Sequence, residues 1–260
     1  WFALGLAYAV ASGSRFIKWD APGPQGVLFI DGEMPLSLMQ ERMQKILNSN
    51  EIEPHSPLNF ITPDTQENGI PDLYTLEGQK QINDLLEDVE LIILDNLSPL
   101  IRSGKENEAE SWLPVQEWAL KLRAKGKSLL FIHHAGKSGE QRGTSRREDV
   151  LDTVLALRRS IDYSTAEGAQ FEVHFEKARG LYGDEVAPID CRLIQDQQGK
   201  LTWKHSTLEE STRQKVVSMF NEGVSQADIS RVLEINKSVV SRHVKKAREE
   251  GKITQKDDHK

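Results

Sequence analysis

One cysteine in 260 residues, Cys191, leaves nothing for an internal disulfide to form with. A disulfide-stapled secreted scaffold is thereby excluded, and a reducing compartment, the cytoplasm, is the expected location. No apolar run is long enough to cross a bilayer, since the longest, Trp1 to Ala11, falls well short of the roughly 20 residues required. That run also lacks a basic lead-in and a starting Met, so it does not read as a signal peptide. Internal repeats are absent, and so are low-complexity tracts outside the charged C-terminal end. What is present is ordinary for a soluble globular protein: 38% apolar and 28% charged residues, in a length that suits one α/β domain and a small accessory one.

Charge of one sign is scarce in one place only. The chain carries a formal net charge of −7, yet from Ser211 to Lys260 eleven Lys/Arg face seven Asp/Glu. The remainder is strongly acidic, so long-range attraction to a polyanion belongs to the tail. Ordinary surface charge is the alternative reading of the same counts.

Short apolar runs alternate with amphipathic ones up to about Lys204. Strands are predicted at Val27–Asp31, Leu58–Thr62, Leu91–Asp95, Leu129–His133, Val154–Arg158 and Phe171–Lys177, with helices at Ser37–Leu47, Glu77–Leu86 and Glu106–Ala124. Continuous β-rich runs such as Leu91-Ile92-Ile93-Leu94 suit strands buried on both faces, so the fold class is α/β with a mostly parallel sheet flanked by helices. Ile189–Ile194 and Lys200–Lys204 read as a closing hairpin. Residues 1–204 are assigned to this domain, 205–210 to a polar linker and 211–260 to an all-α domain. Its three helices are expected at Thr212–Asn221, Ser225–Leu233 and Lys237–Glu250. Ser225 and Asp228 form a capping-box pattern, and Asn236 is the expected N-cap of the third helix.

Four features of the first domain fit one chemistry. Leu91-Ile92-Ile93-Leu94-Asp95 is a hydrophobic strand ending in a carboxylate, placed to hold the water shell of Mg²⁺. Val27-Leu28-Phe29-Ile30-Asp31-Gly32-Glu33 delivers an acid that could act as a general base, or a solvated turn bent at Gly32. Leu130-Phe131-Ile132-His133-His134 brings a polar pair to the same sheet edge, where a donor could contact a terminal phosphate. Phe175-Glu176-Lys177-Ala178-Arg179-Gly180 offers Lys177 and Arg179 on one side of an extended segment, as phosphate-neutralising fingers or as a surface pair.

In order and spacing this set resembles the hexameric RepA-type replicative helicases of the RecA superfamily of P-loop ATPases. The resemblance covers roughly Trp1 to Gly183. It includes Glu33-Met34-Pro35, His133-His134-Ala135-Gly136-Lys137-Ser138-Gly139 and Arg142-Gly143-Thr144-Ser145, seven residues before Asp152. It implies a RecA-like ATPase core with ATP and Mg²⁺ as cofactors and a homo-oligomer, a hexamer when intact. Glu33 is then the catalytic carboxylate and Asp95 the acid that holds Mg²⁺ through water. His134 is the γ-phosphate sensor, with His133 the second choice, and Lys177 and Arg179 serve the adjacent subunit. The loops Ile101–Glu106 and Ala135–Glu148 would line a central channel for single-stranded DNA, the latter through Lys137, Arg142, Arg146 and Arg147.

The resemblance departs from its family in one respect. No G-x-x-x-x-G-K-[ST] occurs in the chain, and Trp1 to Ala7 resembles the apolar helix that follows that loop. The chain is therefore expected to be a truncated fragment without its phosphate cradle, inactive in hydrolysis.

The C-terminal segment has its own logic. Val240, Val244 and Ala247 fall at i, i+4, i+7 and are expected to pack on the first two helices. Lys237, Ser238, Ser241, Arg242 and Lys245 are left on the other face, and no acid occurs from Lys237 to Arg248. Short polar and basic side chains there suit major-groove reading. Val224-Ser225-Gln226-Ala227-Asp228-Ile229-Ser230-Arg231-Val232-Leu233 with Ser238-Val239-Val240-Ser241-Arg242 resembles the helix-turn-helix of resolvases and repressors, which implies duplex DNA as partner. A protein-docking module is the alternative. The whole reads as an ATP-dependent motor or switch acting in DNA replication of a plasmid, phage or integrated mobile element. Its rival is a DNA-binding regulator whose ATPase core is a nucleotide-gated oligomerisation platform.

Overall fold

The computed structural model describes residues 1–67, 69–104, 109–134, 150–160, 163 and 168–253. The chain divides into two compact units. Trp1–Val154, Lys177–Arg179 and Ile194–Trp203 form the first, and Leu155–Glu176, Gly180–Leu193 and Lys204–Lys260 form the second.

The first unit is organised by β3 (Val27–Asp31), β4 (Leu58–Ile61), β5 (Leu91–Asp95) and β6 (Ser128–Phe131), which form a wholly parallel sheet of order β4-β3-β5-β6. Helices α1 (Phe2–Ser12), α2 (Leu36–Ser49), α3 (Leu76–Asn83) and α5 (Leu113–Ala124) cover it, with the short α4 (Leu97–Leu100) after β5. Side chains alternate along a strand, and here both faces are apolar. Leu28 and Ile30 of β3 and Ile92 and Leu94 of β5 join Ile82 of α3 and Val115, Trp118 and Leu122 of α5. Val27, Phe29 and Ile93 pack instead with Leu4, Ala7 and Tyr8 of α1 and Met39, Met43 and Ile46 of α2. A continuous apolar strand thus serves two cores, which is why those runs carry no polar alternation. Helix α1 stops at Gly13, whose φ of 67° lets its N–H reach the carbonyls of Ala9 and Val10. A two-residue hairpin, β1 (Arg15–Phe16) and β2 (Trp19–Asp20), follows it and was not foreseen from the sequence.

The remaining strands are β7 (Thr153–Arg158), β8 (Gln170–Ala178), β9 (Ile189–Gln195) and β10 (Leu201–Thr207), in the order β10-β9-β8-β7 with β8 and β9 antiparallel. Residues 205–210, expected as a linker, are the end of β10 and the first turn of α6 (Leu208–Asn221). The signal for that start is Thr207-x-x-Glu210: the Thr207 hydroxyl accepts from Glu210 N, and Glu210 reaches back to Thr207 N. Polar composition had suggested a spacer, but a capping box is itself polar.

Helices α7 (Gln226–Val232) and α8 (Lys237–Glu249) complete a three-helix module with α6. Val216, Ile229, Leu233, Val240, Val244, Ala247 and Ile253 form its core. Ser225 caps α7 by accepting from Asp228 N, as its spacing predicts. Asn236 does occupy the N-cap position of α8, yet its side chain makes no cap hydrogen bond. The turn before it is held instead by Ser230 Oγ donating to Ile235 O at 2.6 Å. Among the described residues, no helix is long and apolar enough to cross a membrane.

Candidate functional site

Parallel strands carry their C-terminal ends to one edge of a sheet, and ligands of such sheets bind beyond that edge. Here the edge gathers Asp31 at the end of β3 and Glu33 just after it, Asp95 at the end of β5, and His133 and His134 after β6. Backbone bonds fix it: Gly32 N donates to Asp95 O at 2.7 Å, Ile132 N to Leu94 O at 2.9 Å, and Leu97 N to Ile132 O at 3.1 Å. Gly32 is required by proximity, because a Cβ there would lie 2.3 Å from the Pro99 ring.

Sequence reasoning passed over Asp31, which turns out to support Glu33. It is buried, and its Oδ1 accepts from Glu33 N at 2.9 Å and Met34 N at 2.7 Å, shaping the turn that presents the Glu33 carboxylate. Asp31 is also the register partner of Asp95 on the adjacent strand. The signal for it, an acid ending one strand like the acid ending another, becomes readable only when β3 and β5 are known to be neighbours.

The Glu33 carboxylate lies 3.9 Å from His134 Nε2, and both side chains are exposed. Such an exposed pair stabilises little and leaves both groups free to engage a ligand. Asp95 is set in a different environment. Burial, then the nearby Asp31 and more weakly Glu33, push its carboxyl above the usual carboxylate range, while His134 pulls it down. The start of α1 lies near Asp95, where the helix's positive end favours an anion.

A bound Mg²⁺ usually keeps several waters and takes one or two carboxylates from the protein. No group of three His, Cys, Asp or Glu side chains placed to hold a metal occurs among the described residues. The donor set fits a cation held through water by Asp95 and balanced by its acidic neighbours.

The finger candidates do not join this edge. Lys177 lies half-buried in β8 and Arg179 is exposed beyond the strand's end. Arg179 N donates to Asp152 O at 2.8 Å, and its guanidinium pairs with the Asp152 carboxylate at 3.6 Å, which also holds Arg123 at 3.3 Å. In the first expected channel loop, Ser103 is tied to Asp72 through its N–H and hydroxyl, and Arg102 donates to Ile70 O. Ala135–Glu148, with Lys137, Arg142, Arg146 and Arg147, lies outside the described residues.

In the helical module Val240, Val244 and Ala247 are buried, and Lys237, Ser238, Ser241, Arg242 and Lys245 are all exposed on α8. Its other cations are largely committed. Arg213 pairs with Glu250, Lys252 with Glu250 and Arg231 with Asp228, while Arg248 lies over the Phe220 ring. Among the described residues Lys237, Arg242 and Lys245 make no such pair, which concentrates positive charge on one face. His243, beside Arg242, is only 2% exposed and was not anticipated as a core residue.

Two family models match the chain. The 'Paired box' domain, a DNA-binding family, matches residues 194–257, which include the helical module. No curated protein matches the chain. The AAA domain matches residues 1–140, more than half of the chain and all of the parallel sheet, so the chain belongs to the AAA domain family.

Proposed function

We propose that the chain is the core of an ATP-dependent, DNA-acting motor or switch of RepA helicase type, working in replication of a plasmid, phage or integrated element. The observation that carries this reading is the convergence of Glu33, Asp95 and His134 at the C-terminal edge of β3, β5 and β6. The AAA domain match supports the nucleotide half. The paired-box match and the exposed cations Lys237, Arg242 and Lys245 of α8 support the DNA half, with α6, α7 and α8 acting as a helix-turn-helix.

In this reading the phosphates of ATP would lie before the N-terminus of α1, whose free N–H groups favour an anion. Asp95 would hold Mg²⁺ through its water shell, and the ion would supply neutralisation of the nucleotide's phosphate charge. Glu33, presented by the Asp31-braced turn, accepts the proton of the attacking water. His134 contacts the γ-phosphate and passes its loss to the segment that follows it. Arg179 exchanges Asp152 for the phosphate of a neighbouring subunit in a ring, and Lys177 assists it.

Turnover tests these roles in a chain carrying a Gly-Lys-Thr loop ahead of Trp1. Glu33→Gln should lower hydrolysis by roughly 10²- to 10⁴-fold while ATP still binds. Asp95→Ala should abolish it. A Glu33→Gln rate near wild type removes Glu33 from the chemistry. Arg179→Ala should bind ATP normally and hydrolyse slowly, and mixing it with Glu33→Gln should restore part of the activity if Arg179 acts on a neighbour. Forked DNA separates motor from switch: hydrolysis without strand separation favours the switch.

A further inference from the structure

We infer that Asp190 docks the helical module onto the β8–β9 pair and is the positioning residue for the exposed face of α8. Asp190 is 4% exposed, and both of its carboxylate oxygens are engaged. Ser160 Oγ donates to Oδ1 at 2.8 Å, and Ser211 Oγ donates to Oδ2 at 3.3 Å. Arg192 Nε lies 3.5 Å from the same Oδ2. Ser160 and Ser211 are themselves 2% and 4% exposed, so water does not replace either hydroxyl.

A buried carboxylate is costly unless its hydrogen bonds are made, so its partners can sit in few places. An apolar contact at this point would tolerate sliding of the helix; a carboxylate shared by two hydroxyls does not. Ser211 lies in the first turn of α6, immediately after the capping box, and β10 passes into that helix at Thr207 without a spacer. Helix α6 contributes Val216 to the core that holds Val240, Val244 and Ala247 of α8. Fixing Ser211 against β9 thus fixes the direction in which Lys237, Ser238, Ser241, Arg242 and Lys245 face. The surrounding sheet face is polar too: Glu172 is the register partner of Asp190 and bonds His174 at 2.9 Å. The docking stands on this geometry alone; only its consequence for DNA rests on the function proposed above.

Hydrogen exchange on the whole chain reads the docking directly. Asp190→Ala should speed exchange at residues 209–216 and 189–193 by roughly 10- to 100-fold, while residues 240–247 of α8 stay protected. Asp190→Asn keeps an acceptor for Ser160 and can donate to the Ser211 hydroxyl, so it should restore most of the protection. Wild-type exchange in α6 of Asp190→Ala, or no recovery with Asn, would overturn the inference. Should Asp190→Ala not fold, Ser211→Ala decides, since docking requires faster exchange in β9 as well as α6, and unchanged β9 exchange rejects it. With a mixed-sequence duplex added, wild type should gain protection at 189–193 and Asp190→Ala should not. A duplex that changes exchange nowhere counts against the DNA-binding reading alone, because the DNA-free comparison has already decided the docking.

Discussion

Glu33, Asp95 and His134 lie at or just beyond the ends of three strands and meet only because β5 lies between β3 and β6. Lys237, Ser238, Ser241, Arg242 and Lys245 stand on one helix, and a 3.6-residue period alone puts them together. The sheet that forms this edge is assembled by long-range pairing and covered on both faces, whereas the face of α8 is assembled locally and needs only its own small core. The first should therefore fail as a whole when packing fails, and the second should be dissected one side chain at a time.

The largest effect should come from the two-sided sheet. Ile93 is fully buried in β5 beside Asp95. Ile93→Ala should cost about 2–5 kcal/mol of unfolding free energy, read by urea denaturation, because the cavity cannot collapse in a strand fixed by both neighbours. Nucleotide binding by a loop-bearing chain should weaken with it, since the strand carries the acid. Ile229→Ala should also destabilise the module by about 2–5 kcal/mol, yet leave nucleotide binding in place. Loss of nucleotide binding in Ile229→Ala would erase the distinction between the two regions.

The same contrast explains what was legible in the sequence. Val27–Asp31 and Leu91–Asp95 were readable to the residue because uninterrupted β-branched and aliphatic runs admit few alternatives. Ser225 was readable because a cap is a local pattern, and so was the buried stripe of α8. Asp31 was passed over because its partners, Glu33 N and Met34 N, are backbone groups, and its relation to Asp95 depends on strand order. Asp190 was invisible for the same reason: Ser160 and Ser211 are far from it in sequence. The linker was misplaced because Thr207 and Glu210, polar residues in a polar stretch, were counted by composition rather than by spacing.

Smaller effects should appear on α8, each separable. Arg242→Ala should cost about 1–3 kcal/mol on a preferred duplex and flatten sequence preference, as expected of a side chain near base edges. Lys245→Ala should weaken all duplexes alike and reduce the slope of log affinity against log salt by about 1. Titrating both variants against duplexes selected from a random pool distinguishes them. Identical behaviour of the two would mean that the face contacts phosphates only. Absence of any duplex binding at low salt would make the module a protein-docking domain.

Removing the cap of α7 should cost less again. Ser225→Ala deletes the acceptor for Asp228 N and the 2.6 Å partner of its carboxylate, and should destabilise the module by about 1 kcal/mol in thermal melts. The sheet should be insensitive to it, and a matching loss of nucleotide binding would again blur the comparison.

The smallest effect should be one of pH, and it follows from the one titratable group that α8 turns inward. Burial holds the His243 imidazole below its ordinary pKa, and the cations Arg242, Arg213 and Lys246 add to this while Glu209 opposes it. The folded module therefore resists the proton that the unfolded chain accepts. Above about pH 6.5 both states are neutral at this site, and the module has its full stability. As pH falls below that value the unfolded state binds the proton first, so stability declines until the folded pKa is reached and then levels. One group can contribute a slope of at most about 1.4 kcal/mol per pH unit in that window. Denaturant titrations between neutral and mildly acid pH, compared for wild type and His243→Gln, isolate this site from the other histidines. The wild type should lose more stability than the variant on acidification. Equal losses would show that the protonated ring is accommodated against α6, with Glu209 as the residue that accepts it.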